Sequence, residues 1–448
     1  MTISFHHHFR FGDVVVDTVL RELARLGIRD LTLTVSGFHP VTEILCDCIR
    51  EGVVTRIHHG GIPRELGNLV ARCILKEPVV IRTHGGRARA IGAGELPIDV
   101  AFVAAPACDA YGNVNGTDGP SPCGALGYAM VDARHAKRVV VLTNNLVPYP
   151  LHRISIPQTH VDYIVATDCI GDPTWIASGA IRQTRNPRDM VIADQIAQVV
   201  QHSGFLKPGF SLQVGTGGVS LAATSRISDI MRHGGIQGGF MLGGITSVAV
   251  DLLKEGLFHS LLDVQSFDQG AARSLTETKE HVEIDASFYA NPHSGGCAVN
   301  MVDVAVLSAL EVDVDFNVNV LTGFDGIMMA GPGGHSDTAA GSKLAIIGIP
   351  LVRDRLPCVV KRIGTVVTPG ETVDVVVTEY GVAVNPRRAD LLKALEGSSL
   401  RLCDIQELAR KAEDITGTPE QLRFTDHIVA LVEYRDGTII DVVRKPEA

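Results

Sequence analysis

The chain contains itself twice at one register. Asp99-Val100-Ala101 followed by Asn113-Val114-Asn115 recurs as Asp303-Val304-Ala305 followed by Asn317-Val318-Asn319, each displaced by 204 positions (303 minus 99). Upstream, Arg50-Glu51-Gly52-Val53 is echoed at the same offset by Lys254-Glu255-Gly256-Leu257. Three short matches at a common displacement point to two fused α/β halves, and such a pair has a place for a shared site at its seam.

Within the first half, strand and helix signals alternate. Thr2 to Phe9 reads as a strand, and Val15, Val16, Val19, Leu20, Leu23 and Leu26 recur at helical spacing with Gly27 as terminator. Leu31 to Val35 is a β-rich run, Val41 to Ile49 a helix, and Val53 to Ile57 a further strand. The second half repeats the rhythm: a strand over Phe210 to Val214, a helix to Met231, a strand at Gly238 to Met241, a helix over Val248 to Leu253 and a strand over Leu257 to Asp263. The alternation predicts mostly parallel sheets covered by helices. A linking helix, Met190 to His202, carries the boundary, giving domains 1–195 and 196–448.

Composition narrows the partners. A net charge of −10 argues against nucleic acid or an anionic membrane, but leaves room for a local cationic pocket. No apolar stretch is long enough to span a bilayer. The nine cysteines include no CxxC pair, so neither a metal site nor a disulfide framework is expected, and a reducing, cytoplasmic setting fits.

Two glycine-rich loops carry the first chemical argument. Gly215-Thr216-Gly217-Gly218 follows a strand and precedes a helix, where backbone amides converge on an anion or simply pack tightly; it lacks the spacing of a dinucleotide or triphosphate loop. Gly331-Pro332-Gly333-Gly334-His335-Ser336-Asp337 brings backbone close to a reacting group, and free amides at Gly333 and Gly334 suit a developing oxyanion.

The second argument is a polyanion pocket. His6, His7, His8, Arg10, His58, His59 and Arg64 fall at strand ends of one half, along the edge where parallel sheets place ligands. Alternation sends His6 and His8 to one side and His7 to the other. A di- or tricarboxylate is a suitable guest for arginine and histidine donors, the alternative being that individual histidines satisfy backbone groups or face solvent. Glu311 and Glu379 fit a nucleophile, a base or a structural acceptor, and spacing does not rank these roles. Asp109, Asn113, Asn115, Asn317 and Asn319 occupy duplicated turns, where such residues fix backbone bends.

Taken together, Phe5-His6-His7-His8-Phe9-Arg10, Ala105 to Asn113, Leu261 to Asp268, Gly331 to Asp337 and Val377 to Pro386 resemble the citrate lyase alpha subunit family over essentially the whole chain. The resemblance implies two homologous CoA-transferase-like domains fused as a pseudo-duplicated α/β chain. It implies a citrate:acyl-carrier-protein transferase that replaces acetate by citrate on a thioester carrier, with no covalently bound cofactor of its own. The substrate carrier would bear a CoA-like phosphopantetheine on the gamma subunit, and a beta subunit would cleave the citryl thioester. An oligomeric complex is expected. Gly333, Gly334 and His335 would serve the reacting carbonyl, while Gly215, Gly217, Gly218, Glu379 and Tyr380 would meet the carrier or CoA arm. The histidines and arginines named above would hold citrate.

Two departures accompany the likeness. Members of this family usually carry several dozen residues ahead of the position matching Met1, so either the start is assigned late here or a leading segment is absent, together with the contacts it makes in relatives. Many wider CoA-transferases attack with a glutamate in a segment aligning near Gly243-Gly244-Ile245-Thr246, where this sequence has no carboxylate. Direct attack by a citrate carboxylate on the thioester, through a mixed anhydride, is the expected consequence. The alternatives are a covalent glutamyl thioester, on Glu311 or Glu379, and a carrier-binding scaffold without catalysis.

Overall fold

A computed structural model describes residues 1–37, 42–177, 184–215, 217–418 and 422–447. Runs rich in valine, isoleucine and leucine, such as Leu344–Gly348, are buried along their whole length, as strands covered on both faces must be. They assemble into two large sheets, of nine and eight strands, each parallel except for a hairpin at one end.

In the first sheet the central strand Thr2–Phe5 has Leu31–Val35, Val54–His59 and Val79–Arg82 in order on one side. On the other lie Val100–Ala105, Arg138–Thr143 and Tyr163–Ala166. In the second sheet Leu212–Val214 takes the central place. It is flanked by Gly238–Ile245, Phe258–Ser266 and His281–Glu283 on one side, and by Val304–Ser308, Leu344–Gly348 and Val375–Thr378 on the other. The two orders are the same, so the sequence repeat is a repeat of topology.

Register makes the equivalence residue by residue. Ser4 pairs with Ala101, and Gln213 pairs with Ala305, the repeat partner of Ala101. Gly215 and Gly217 therefore stand where the first half has His6 and His8. The duplicated turns match in detail: Asp109 Oδ1 accepts the Tyr111 and Asn113 amides at 2.9 and 3.1 Å, and Asp313 Oδ1 accepts those of Asp315 and Asn317, both at 3.0 Å.

Several expected boundaries shift. The first strand ends at Phe5, whose carbonyl accepts the Ser36 amide; beyond it the backbone turns, with the Arg10 amide closing on His7 O at 3.0 Å. The strand expected to end at Met241 runs on to Ile245, and that expected to end at Asp263 reaches Ser266. The linking helix is Pro187–His202, capped by the Asn186 side chain. Val41, the expected start of an early helix, lies outside the described residues, and the helix is seen as Glu43–Arg50.

The chain's last strands cross back. Phe424–Glu433 pairs in parallel with Val79–Arg82, and Ile439–Pro446 completes a hairpin at that edge. Residues 424–446 thus belong to the first sheet, so a division at 195/196 that assigns everything through 448 to one domain misplaces this hairpin. Its anchor is electrostatic as well as backbone: buried Glu433 accepts two 2.7 Å hydrogen bonds from Arg82 and one of 3.1 Å from Arg89. Such pairing is long-range and leaves no local signature in the sequence. One hydrophobic core cluster draws buried residues from both halves, including Leu33, Tyr128, Val264, Tyr289 and Leu307, so the halves are packed as one body.

Candidate active site

In an open parallel sheet, strand order reverses beside the central strand, and the loops leaving that point form a crevice. In the first half those loops are His6-His7-His8 and the segment after Ala105. In the second they are Gly215–Gly218 and the segment after Ser308.

The two crevices are tied together at the seam. Gln265 of the second half donates to His7 O at 2.9 Å, and the His84 amide of the first half donates to Gly333 O at 2.8 Å. Gly331 lies against Gly61 so closely that a Cβ there would stand 2.2 Å from the Gly61 Cα, which only glycine avoids. Asp337 reaches back to the helix His84–Gly92, accepting from Thr83 Oγ1 at 2.9 Å and from the Gly85 amide at 2.8 Å. Burial raises its pKa to about 6 against those hydrogen bonds and the Arg435 charge.

Buried His6, His7, His8 and Tyr128 form one ring cluster with half-buried His84, with centroid separations of 4.5 Å for His6 and His8 and 4.5 Å for His84 and Tyr128. His6 and His8 meet through their Nδ1 atoms while His7 turns to Ser36 Oγ at 2.7 Å; since the strand ends at Phe5, strand alternation does not set this arrangement. Burial drives every one of these histidines toward the neutral form: His6 to a pKa of about 4, His84 to about 3, and His7 and His8 well below the ordinary value. At neutral pH the cluster offers polar nitrogens without charge.

The charge comes from Arg10. Its guanidinium lies 5.2 Å from the ring centroid of Phe267, a second-half residue, and among the described residues no carboxylate pairs with it. That ring also fills the space at Gly244, where a Cβ would fall 1.8 Å from Phe267 Cε2. The segment expected to carry a glutamate in wider CoA-transferases therefore has no carboxylate, and a side chain at position 244 would have to displace the Phe267 ring.

The glycine loop keeps amides that bond to no described residue, Gly331 and Gly334 among them. The Gly333 amide reaches Gly60 O at 3.4 Å and the His335 amide closes on Pro332 O at 2.8 Å, whereas the Gly334 amide bonds to no described residue. A Cβ at Gly334 would stand 2.3 Å from the Tyr289 hydroxyl, so the loop is pressed against a buried ring.

Other expected site residues are engaged elsewhere. His335 has both ring nitrogens in use, Nδ1 with Thr368 Oγ1 at 2.7 Å and Nε2 with Ser308 O at 3.1 Å; it braces the loop and has no nitrogen free for a reacting carbonyl. Arg64 is bound to Asp325 across the halves, Nη1 to Oδ1 being 2.9 Å. His58 accepts from Arg82 in the Glu433 ion cluster, and His59 Nδ1 accepts the Gly61 amide at 3.1 Å. Gly217 caps the helix Gly218–Gly234 and abuts Ser308 Oγ, which puts this loop one residue from His335; Thr216 lies outside the described residues.

Glu379 Oε2 accepts the Leu351 amide at 2.8 Å, and Tyr380 lies under Lys411. Both follow the strand Val375–Thr378, three strands from the central one and so roughly 14 Å away. Glu311 Oε2 accepts from Asn319 at 2.7 Å, and burial raises its pKa against that bond. His84, Tyr128 and Tyr289 were not singled out by the sequence, and Gln265 stood there only within the run Leu261 to Asp268. His84 alone had a local signal, the Thr83-His84-Gly85-Gly86 cap after a strand.

Two α/β halves of equal topology, meeting at their strand ends around a glycine loop, define a CoA-transferase-type protein. A family model described as citrate lyase, alpha subunit (CitF), matches residues 1–446, and the chain belongs to that family, the citrate CoA-transferase subunit of the citrate lyase complex. It is 53% identical to the citrate lyase alpha chain of Klebsiella pneumoniae over 445 residues, which cover 99% of this chain and 88% of that one. A crystal structure of a citrate lyase alpha subunit from Streptococcus mutans in complex with citrate is 51% identical, with a TM-score of 0.98 over 100% of this chain and 88% of that one. A succinyl-CoA:cyclohexane-1-carboxylate CoA transferase of Geobacter metallireducens is 26% identical over 304 residues, 64% of each chain. Among the described residues no helix is long and apolar enough to cross a membrane.

Proposed function

We propose that this chain exchanges acetate for citrate on a carrier-borne thioester by direct transfer, with no protein nucleophile between the two acyl groups. A citrate carboxylate attacks the acetyl carbonyl and expels the carrier thiolate, leaving a mixed citric–acetic anhydride. The thiolate then attacks the citryl carbonyl, forming the citryl thioester and releasing acetate. No atom is left on the protein at the end of the cycle.

The observation that carries the direct route is that the segment Gly243-Gly244-Ile245-Thr246 holds no carboxylate, the Phe267 ring occupying the side-chain space of Gly244. Glu311 and Glu379 support it from the other side, since each accepts a structural hydrogen bond from its own neighbourhood. The protein's contribution is then alignment, worth up to about 7–11 kcal/mol in ideal intramolecular cases, and charge control.

Arg10 holds a non-reacting citrate carboxylate, and the neutral histidines add donors without drawing charge from the attacking oxygen. The Gly334 amide faces the oxyanion as the acetyl carbon turns tetrahedral, a contribution of roughly 3 kcal/mol for one such donor. The bound citrate of the Streptococcus mutans relative favours citrate as the acid here. A gamma carrier subunit bearing the phosphopantetheine arm and a beta lyase subunit complete the reading, with the complex acting in the cytoplasm.

The test is mass spectrometry of the carrier after incubation of acetyl-carrier with this chain and a panel of carboxylic acids. A citryl-thioester mass formed from citrate in preference to the other acids supports the reading. An acetyl-carrier left unchanged at stoichiometric protein would leave only a scaffold.

A further inference from the structure

The hydrogen bonds around His6 have a direction that the coordinates fix. The Ala104 amide can only donate, and it points at His6 Nε2 over 2.9 Å. Nε2 of His6 is therefore the acceptor nitrogen, and in a neutral ring the proton must sit on Nδ1. His6 Nδ1 faces His8 Nδ1 at 2.5 Å, a separation that demands one donor and one acceptor. Since His6 supplies the proton, His8 Nδ1 accepts, and the His8 proton is forced onto Nε2.

His8 Nε2 is fully buried and hydrogen-bonds to no other described residue. A buried donor without an acceptor is costly, and a protein that builds one by two fixed hydrogen bonds gains only when something accepts from it. The same crevice holds Arg10, four residues on from His6, above the Phe267 ring. The neighbouring rings of His7 and Tyr128 pack against His8 without bonding to that nitrogen.

We propose that the Ala104 amide, His6 and His8 form a relay of fixed direction that presents His8 Nε2–H to an oxygen of a non-reacting carboxylate of the bound polycarboxylate. This rests on the direct-transfer reading for the identity of the guest. His8 is the substrate-binding residue, and His6 is a positioning residue that sets its tautomer. A neutral donor suits the task, because it orients one carboxylate without adding a second cation beside the carboxylate that must stay nucleophilic. The second half has no such relay: glycines 215 and 217 take the places of His6 and His8, so the repeat has specialised one crevice for the acid.

The experiment is nitrogen NMR of the full chain labelled with 15N in histidine, assigned through His6→Gln and His8→Gln variants and combined with kinetics. In the free chain His6 is expected as the Nδ1–H tautomer and His8 as Nε2–H. Saturating citrate should move the His8 Nε2–H resonance. His8→Phe should raise KM for citrate at least about tenfold while kcat stays within about threefold, the pattern of a contact kept in ground and transition states. His6→Leu should raise the same KM and let His8 populate both tautomers. His6→Gln, which can accept from Ala104 and donate onward, should restore the single tautomer. An Nδ1–H tautomer at His8, or a His8 signal indifferent to citrate in an actively transferring enzyme, would overturn the proposal. Failure to form any citryl thioester would strike the transfer reading instead, while the tautomers in the free chain would still decide for or against the relay.

Discussion

Asp337 and Thr83 stand on opposite halves of the chain and share a buried hydrogen bond of 2.9 Å. Through it the glycine loop that offers the Gly334 amide is locked to the helix that starts at His84, so the oxyanion donor and the histidine cluster are positioned by one carboxylate.

Replacing that carboxylate should therefore cost both stability and turnover. Asp337→Ala orphans the Thr83 hydroxyl and the Gly85 amide inside the protein, an expected loss of about 2–4 kcal/mol in denaturant unfolding. Asp337→Asn keeps an acceptor and should lose less. An alanine variant as stable and as active as the parent would remove Asp337 from this role.

The pH dependence has a definite sign. His6, His58 and His335 have folded pKa values of about 4 and His84 about 3, against 6.5 when exposed. Groups depressed on folding stabilise the native state above pH 6.5 and lose that contribution as pH falls toward 4, on the order of 3 kcal/mol each at full development. Asp13 and Asp337 run the other way: with folded values of about 7 and about 6, their contributions are present below pH 3.8 and are lost as pH rises through 7 and 6. The histidines outnumber them, so unfolding free energy should fall between pH 6.5 and 4. His335→Gln should flatten part of that slope, and Asp337→Asn should steepen it. A stability profile level across that range would contradict the assignment.

Arginines that looked alike in sequence should separate in kinetics. Arg10→Ala is expected to raise KM for citrate by about one to two orders of magnitude, since a charge-assisted bond to the substrate is lost. Arg64→Ala breaks a half-exposed tie to Asp325 and should change stability by about 1 kcal/mol or less with KM unaffected. Equal effects on KM would mean that the seam ion pair, too, reaches the substrate.

The glycine loop can be probed by a double mutant. Gly334→Ala puts a methyl group against the Tyr289 hydroxyl and should lower kcat about tenfold or more by displacing the amide. Tyr289→Phe removes the clashing oxygen, and the pair should recover part of the loss. Additive losses would show that the contact does not set the loop.

Features that depend on local chemistry were legible in the sequence. Leu31 to Val35 reads as a strand and forms one over the same residues; the repeated Asp-Val-Ala motifs enter matching strands of the two large sheets, and the Asn-Val-Asn motifs matching strands of two small three-stranded sheets. The repeat also directed attention to the seam, where His6, His7 and His8 meet the second half. What escaped was set by distance along the chain. The hairpin 424–446 joins the first sheet, Asp325 takes the charge of Arg64, and Glu433 organises Arg82 and His58, all through partners hundreds of residues apart. His335 reads as a loop histidine beside free amides; only the fold brings Thr368 and Ser308 to its two nitrogens.

The direct-transfer claim is tested most sharply by one turnover with protein in excess, using unlabelled acetyl-carrier and citrate labelled with 18O in its carboxylates. If a citrate oxygen bridges the mixed anhydride, the acetate released in that first turnover carries one 18O. If a glutamate intervenes, the first acetate leaves with an unlabelled oxygen from the protein, and that result would contradict the account.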